Sequence, residues 1–174
     1  MPKAISNTSP LLYLYRIGAI NWLPKLFSEV WTPDAVKSEL LAGRSKGYDV
    51  PNPVDYKWLH IVDPKSMPSE WLALDLGAGE ISAMALALEN PKHIILLDDM
   101  LARRTALAAG LQVWGTLKVL LEAKSKGLVD KIEPLVTGLN DAGMWVSDEV
   151  KQRILILAGE SEQQTKTSHR FTSP

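Results

Sequence analysis

The chain has 174 residues, 46% hydrophobic and 22% charged, with a formal net charge of −1. This is one domain's worth of chain, able to bury about 70% of its unfolded surface and too apolar to be disordered throughout. With no cysteine, disulfide scaffolds, thiolate zinc sites and cysteine nucleophiles are excluded, and a pI near 6.3 excludes a globally basic nucleic-acid binder though not a local basic groove.

No apolar run approaches the ~18 residues of a membrane span. Asn7 and Arg16 arrive too soon for a signal-peptide core. The expectation is a soluble, cytoplasmic domain.

Lys3–Ser6 reads as a short strand. Ser9 and Pro10 then look like an N-cap and the first helical residue, where the missing proline N–H costs nothing. That helix runs through Leu11–Ile17 to Gly18, and a second short one covers Ile20–Phe27. Glu29–Trp31 is a second strand, and Thr32-Pro33 repeats the cap-plus-proline start before a helix over Asp34–Leu41. Ala42–Asp55, broken by Gly43, Gly47, Pro51 and Pro53, reads as a loop, and Lys57–Val62 as a third strand.

Gly79–Asn90 is rich in alanine and leucine and apolar on nearly every face, so it predicts a helix buried against a sheet. His93–Leu97 is an almost unbroken β-type run, as in a parallel strand covered on both faces. Helix over Asp99–Ala109, strand over Leu111–Trp114 and helix over Leu117–Lys126 follow, the helices ending at Gly110 and Gly127. Asp130–Asn140 has a weaker helical pattern interrupted by Pro134 and Gly138, and Asp148–Ala158 a stronger one. The domain is expected to span 1–160, with 161–174 a disordered tail. The alternation predicts a three-layer α/β/α sandwich around a central, mostly parallel sheet.

Ligands of such sheets bind beyond the carboxyl ends of the strands. Asn7 follows the first strand there, and Asp98-Asp99 follow the strongest one. Glu80 lies in the first turn of the buried helix, and Glu39 borders the apolar stripe of the helix after strand two. An aspartate after a strand is commonly a helix cap, and Glu80 suits its own helix dipole. Taken together, the acids converge on one crevice, where they repel unless a cation sits among them. The fitting cation is a hard divalent ion with oxygen ligands, Mg²⁺ or Mn²⁺.

Five segments occur in order: Ser-Asn-Thr-Ser-Pro-Leu-Leu at 6–12, Thr-Pro-x-x-Val-x-x-Glu-Leu at 32–40, Gly-Glu-x-x-Ala-x-x-Leu-Ala at 79–87, Leu-Leu-Asp-Asp-x-x-Ala-Arg-x-x-Ala at 96–106, and Val-Trp-Gly-Thr at 113–116. With Leu-Ala-Gly-Glu at 157–160, this set resembles the PIN domain family of metal-dependent nucleases over residues 3–160. The nearest likeness is a bacterial and archaeal branch of undetermined function, similar to the VapC toxins. The resemblance implies RNA phosphodiester cleavage at an acidic cluster holding Mg²⁺ or Mn²⁺.

Carried over by position, the family's acids fall on Asn7, Glu39, Glu80 and either Asp98 or Asp99, with Thr8 and Ser9 as the neighbouring hydroxyls. Asn7 departs from the usual aspartate: its amide oxygen can ligate, but it brings no charge and cannot act as a base. That departure leaves two functions open, a metal-dependent endoribonuclease and a catalytically weak binding module. The family likeness also implies a small antitoxin partner. Leu14, Ile17, Trp22 and Tyr48 offer apolar surface for an antitoxin or for a homodimer, unless they pack inward.

Leu-Asp-Leu-Gly-Ala-Gly at 74–79 imitates a methyltransferase glycine motif, but Ile81 stands where its third glycine belongs. Receiver domains and haloacid-dehalogenase phosphatases also carry acids after a strand, but the order and spacing here differ. Arg103 and Arg104 lie one turn beyond the acids, as phosphate contacts or as a solvated helix face. Trp114 and Trp145 are either core or a stacking surface for bases. His60, His93 and His169 show no metal-ligand spacing.

Overall fold

A computed structural model describes residues 1–162. Of the tail expected over 161–174, the part from residue 163 lies outside the described residues, as does His169.

Five strands of three residues each form one sheet: β1 Ala4–Ser6, β2 Val30–Thr32, β3 Leu59–Ile61, β4 Ile94–Leu96 and β5 Gln112–Trp114. Their order is β3-β2-β1-β4-β5, and every neighbouring pair is parallel. Ala4 pairs with Val30 on one side and Ile94 on the other, and Ser6 lies opposite Leu96. The eight α-helices among the described residues are α1 Thr8–Arg16, α2 Leu23–Leu26, α3 Asp34–Ser45, α4 Ala78–Glu89, α5 Met100–Ala108, α6 Thr116–Ser125, α7 Glu133–Asp141 and α8 Asp148–Leu157.

Alternation along the strands divides the core into two layers, because successive side chains leave opposite faces of the sheet. Ala4, Val30, Ile94 and Leu96 pack with Leu11, Leu14, Val36, Leu120 and Val136 from α1, α3, α6 and α7. Ile5, Ile95 and Leu97 pack on the other face with Met84 and Leu86 of α4 and Ala102 and Ala106 of α5. Helices cover both faces, so the sheet is hydrophobic on both. The three-layer α/β/α expectation holds.

The helix starts differ from the expected ones by one or two residues. Asn7, in extended backbone, is the N-cap of α1, so Ser9 and Pro10 are its second and third residues. The cause is the sheet: the Asn7 N–H donates to Leu96 O at 3.1 Å, extending strand pairing to the residue where the helix begins. Likewise Thr32 remains in β2, its hydroxyl donating to Ser6 O at 2.7 Å, and Pro33 takes the cap of α3. α3 runs on to Ser45, into the stretch expected to be loop. In α7, Pro134 falls in the first turn, where no N–H is needed, and the helix passes Gly138 unbroken. A 3₁₀ turn over Ser69–Ala73, too short to leave a periodic signal, buries Trp71 in the second core layer.

Candidate active site

The chain lays down β1, β2 and β3 toward one edge of the sheet, then crosses β1 to place β4 and β5 toward the other. The reversal opens a crevice between the carboxyl ends of β1 and β4, where open α/β sheets bind ligands. Asn7 stands at the end of β1, and Asp98 and Asp99 stand just past β4. Asn7 is buried, 3% exposed, and its amide oxygen has no hydrogen-bond partner. An unsatisfied buried oxygen costs about 1–3 kcal/mol, and a cation or a bound water would relieve it.

Glu39 and Glu80 meet around the loop that starts α4. Glu39 Oε1 accepts the Gly79 N–H at 2.9 Å, and its Oε2 accepts the Thr8 hydroxyl. Glu80 reaches back to the Gly77 N–H at 3.0 Å, closing the first turn of its helix as a capping box does. A Cβ on Gly77 would lie 3.8 Å from Glu39 Oε1 and 3.9 Å from Glu80 Oε2, so the two carboxylates flank one glycine. Burial pushes the Glu80 carboxyl above its ordinary range; the Gly77 N–H opposes this, and the charges of Asp99, Glu39 and Asp75 add to it.

Asp98 and Asp99 diverge. Asp98 accepts the Thr116 N–H on Oδ1 at 2.8 Å and the Thr116 hydroxyl on Oδ2 at 2.7 Å. Burial drives its carboxyl upward, against those two bonds and the neighbouring Arg103. Asp99 is exposed and caps α5, its Oδ1 accepting the Ala102 N–H at 2.8 Å.

Thus Asn7, Glu39, Glu80 and Asp99 belong to one end of the sheet, and Asp98 leans toward β5 and α6. Of the two hydroxyls beside Asn7, Thr8 is the one that engages an acid, while Ser9 sits half-buried in the first turn of α1. Arg103 turns inward, its Nη1 donating to Leu97 O at 3.4 Å, whereas Arg104 is exposed on α5. Trp145 is 82% exposed, and Trp114 is half-buried with its ring tilted against Phe27. Of the four expected interface residues, Leu14 is fully buried, Ile17 and Trp22 pack partly against the core, and Tyr48 is 62% exposed.

Thr116 and Gly115 were not singled out by spacing, although both stand in the Val-Trp-Gly-Thr segment. A glycine 17 residues after an aspartate carries no local signal; it matters only because the sheet brings β5 beside β4.

Among the described residues, no group of three or more His, Asp or Glu is placed to hold a metal ion. What the crevice presents is two carboxylates at Gly77 and an unpartnered amide oxygen at Asn7. Oxygens of these kinds suit a hard divalent cation that keeps part of its water shell, as Mg²⁺ does.

A hollow of about 550 Å³ between α6 and α8 is lined by Lys118, Leu121, Glu122 and Leu157, with no convergent acids. No helix among the described residues is long and apolar enough to cross a membrane. A family model described as PIN domain matches residues 3–160. No curated protein matches the chain.

Proposed function

The chain belongs to the PIN domain family, a nuclease-type domain, and from that premise we propose that it is a metal-dependent endoribonuclease. The observation that carries the reading is the orphaned, buried Asn7 oxygen at the end of the sheet where Glu39 and Glu80 converge. PIN domains generally use divalent metal ions; here Mg²⁺ or Mn²⁺ would be held by Glu39, Glu80, the strand-end aspartate and the Asn7 amide oxygen. When bound, the ion supplies an activated water and stabilises charge on the phosphoryl oxygens.

The chain's own residues do the positioning. Thr8 and Gly79 fix the two oxygens of Glu39, and Gly77 fixes one oxygen of Glu80. Asn7 accepts no proton, but its amide can orient the attacking water, with Ser9 next to it on α1. Arg104 and the exposed Trp145 are available to RNA phosphates and bases.

The test is cleavage of single-stranded RNA with Mn²⁺ or Mg²⁺, repeated with EDTA and with Glu80→Gln. The expected result is cleavage abolished by either treatment, and cleavage that survives both overturns the proposal.

A second reading rests on Asn7 as well. With an amide in place of a carboxylate, cation affinity drops and the domain acts as a nucleic-acid or protein binding module. Calorimetry separates the two: no Mn²⁺ binding at millimolar concentration, restored by Asn7→Asp, favours the module.

Further parts of the proposal are a VapC-like toxin role in the cytoplasm, a homodimer and a small antitoxin partner. Met100, Leu101 and Leu107 are exposed on α5 and support an apolar interface. Light scattering that returns a mass near 19.2 kDa would rule out the dimer. Failure to co-purify with the product of an adjacent small reading frame would rule out the antitoxin.

A further inference from the structure

The sheet ends on β3, which pairs with β2 alone and leaves its outer side open. Just past the strand, the Val62 N–H donates to Thr32 O of β2 at 3.0 Å. Backbone groups of successive strand residues point to opposite edges, so the Ile61 N–H and C=O are directed away from the sheet. Leu59 has the same parity. Its N–H turns back onto Tyr56 O at 3.0 Å, and its C=O faces outward. β3 therefore presents a donor from Ile61 and acceptors from Leu59 and Ile61, in strand geometry, to whatever lies beside it.

A hollow of about 310 Å³ lies at this edge. Its walls include Lys37 of α3, Val54, Tyr56 and Lys57 ahead of β3, and Leu59 and Ile61 of β3 itself. Val54 and Ile61 are exposed apolar side chains. No acid lines the hollow, and among the described residues neither Lys37 nor Lys57 belongs to an ion pair. Of the nearby acids, Asp63 accepts the Asp34 N–H at 2.8 Å, and Asp55 stands exposed on the 3₁₀ turn before Tyr56.

Lysines at a sheet edge guard against pairing with a like edge. Two copies of this chain joined through β3 would set their lysines against each other, so a second copy fits poorly. RNA phosphates would use the lysines but not the outward backbone groups. An acidic strand uses both. Its backbone completes the pairing of Leu59 and Ile61, its carboxylates face Lys37 and Lys57, and its apolar side chains cover Val54 and Ile61. We infer that the β3 edge is the docking strand for an acidic, extended segment of a partner protein, which joins the sheet beside β3. β3 lies beyond β2 from the end of β1, so this edge is independent of the metal-dependent reading.

The experiment is a fluorescence-anisotropy titration of the full chain with a labelled peptide of Glu-Glu-Val-Val repeats, about eight residues long. Such a peptide shows acidic and apolar side chains on each face of a strand. A Lys-Lys-Val-Val peptide and oligouridylate are the comparison probes, and NMR follows amide hydrogen exchange with and without the acidic peptide. The variants are Ile61→Pro and Lys37→Glu/Lys57→Glu. Proline at 61 removes the outward donor and spares the pairing with β2, so the variant should still melt cooperatively.

The acidic peptide is expected to bind at least ~10-fold more tightly than the basic one, and each variant to weaken it ~10-fold or more. Bound peptide should slow exchange of the Ile61 amide at least ~10-fold. Absence of binding at millimolar peptide overturns the inference, as does equal binding of the basic peptide. So does an Ile61 amide whose exchange ignores the bound peptide, or a folded Ile61→Pro that binds as wild type does. Oligouridylate binding that is lost in Lys37→Glu/Lys57→Glu, with acidic-peptide binding unchanged there, would assign the lysines to nucleic acid and overturn it too. Should Ile61→Pro not fold, the Ile61 amide of wild type decides the backbone pairing and the lysine variant decides the charge.

Discussion

The carboxylate of Glu39 occupies the space that a side chain on Gly79 would fill. Oε1 takes the Gly79 N–H at 2.9 Å, and a Cβ on that glycine would stand 2.7 Å from Oε2. Two helices forty residues apart in sequence thus meet through a missing methyl group. Gly79→Ala is expected to change stability by less than about 1 kcal/mol, because alanine favours the helix and Glu39, which is exposed, can swing away. On the metal-dependent reading the same swing removes a proposed ligand, so Mn²⁺ affinity should fall ~10-fold or more. Calorimetry and a thermal melt on one sample check both halves, and a stable variant with wild-type affinity would contradict the packing argument.

Glu80→Gln should separate stability from function. The raised Glu80 pKa means that its charge opposes folding at neutral pH, an effect absent below the unfolded value near 4.5 and present once pH rises through the folded value. Removing the charge keeps an oxygen for the Gly77 N–H. The metal-free variant should melt at or a little above wild type. Saturating Mn²⁺, at about 100 times its Kd, should stabilise wild type by about 2.7 kcal/mol and the variant by far less. Differential scanning fluorimetry with and without Mn²⁺ reads both.

Glu160 anchors the end of the described chain. Its side chain is 7% exposed and pairs with Lys124 at 2.9 Å while accepting the N–H groups of Ile132 and Glu133, where α7 begins. Burial raises its pKa, but the Ile132 N–H, Lys124 and the Glu133 N–H together outweigh that and hold it below the ordinary value. Glu160→Ala should cost about 2–4 kcal/mol, or roughly 5–12 °C of melting temperature. Because the folded pKa is depressed, the wild-type contribution is complete above the unfolded pKa and disappears as pH falls through the folded one. The difference between wild type and Glu160→Ala in urea unfolding should therefore shrink toward pH 3.

His93 predicts a second acid sensitivity at milder pH. Its ring lies tilted at 45° against Trp31 with 4.5 Å between centroids, and its buried Nε2 has no partner. Burial first, and then Lys3, lower its pKa, partly opposed by Glu29 and by Asn90. An unfolded histidine takes its proton near pH 6.5 while the folded one resists, so stability falls as pH drops from about 6.5 toward the folded value. Urea midpoints at pH 7.5 and 5.5 should differ for wild type, and the difference should narrow in His93→Leu. An equal loss in both would assign the sensitivity elsewhere.

The strong elements were legible because they rest on local pattern. The His93–Leu97 run could only be a strand covered on both faces, and the glycine at 110 marks the end of α5 with a φ of +81°. Ser9 misled as a cap because the deciding interaction, Asn7 N–H to Leu96 O, spans almost ninety residues. The same holds within the site. Asn7 and the Asp98-Asp99 pair could be assigned to one end of a sheet from strand ends, and Glu39 and Glu80 from their places on the helices. The separation of Asp98 from Asp99 required knowing that β5 brings Gly115 and Thr116 alongside β4. Trp145, which the sequence left open between core and stacking surface, is 82% exposed just before α8.

The crossing from β3 to β4 makes the crevice a joint property of two lengths of chain. Asn7, Thr8 and Glu39 arrive before the exposed stretch Lys65–Met67, and Glu80, Asp98 and Asp99 arrive after it. β1 is sandwiched between β2 and β4, so neither length alone can complete the sheet around it. A nick at Lys65–Met67 would leave each fragment with part of the proposed ligand set and an open sheet edge ready to re-pair. On the metal-dependent reading, cation binding would then require both pieces and would report their reassembly.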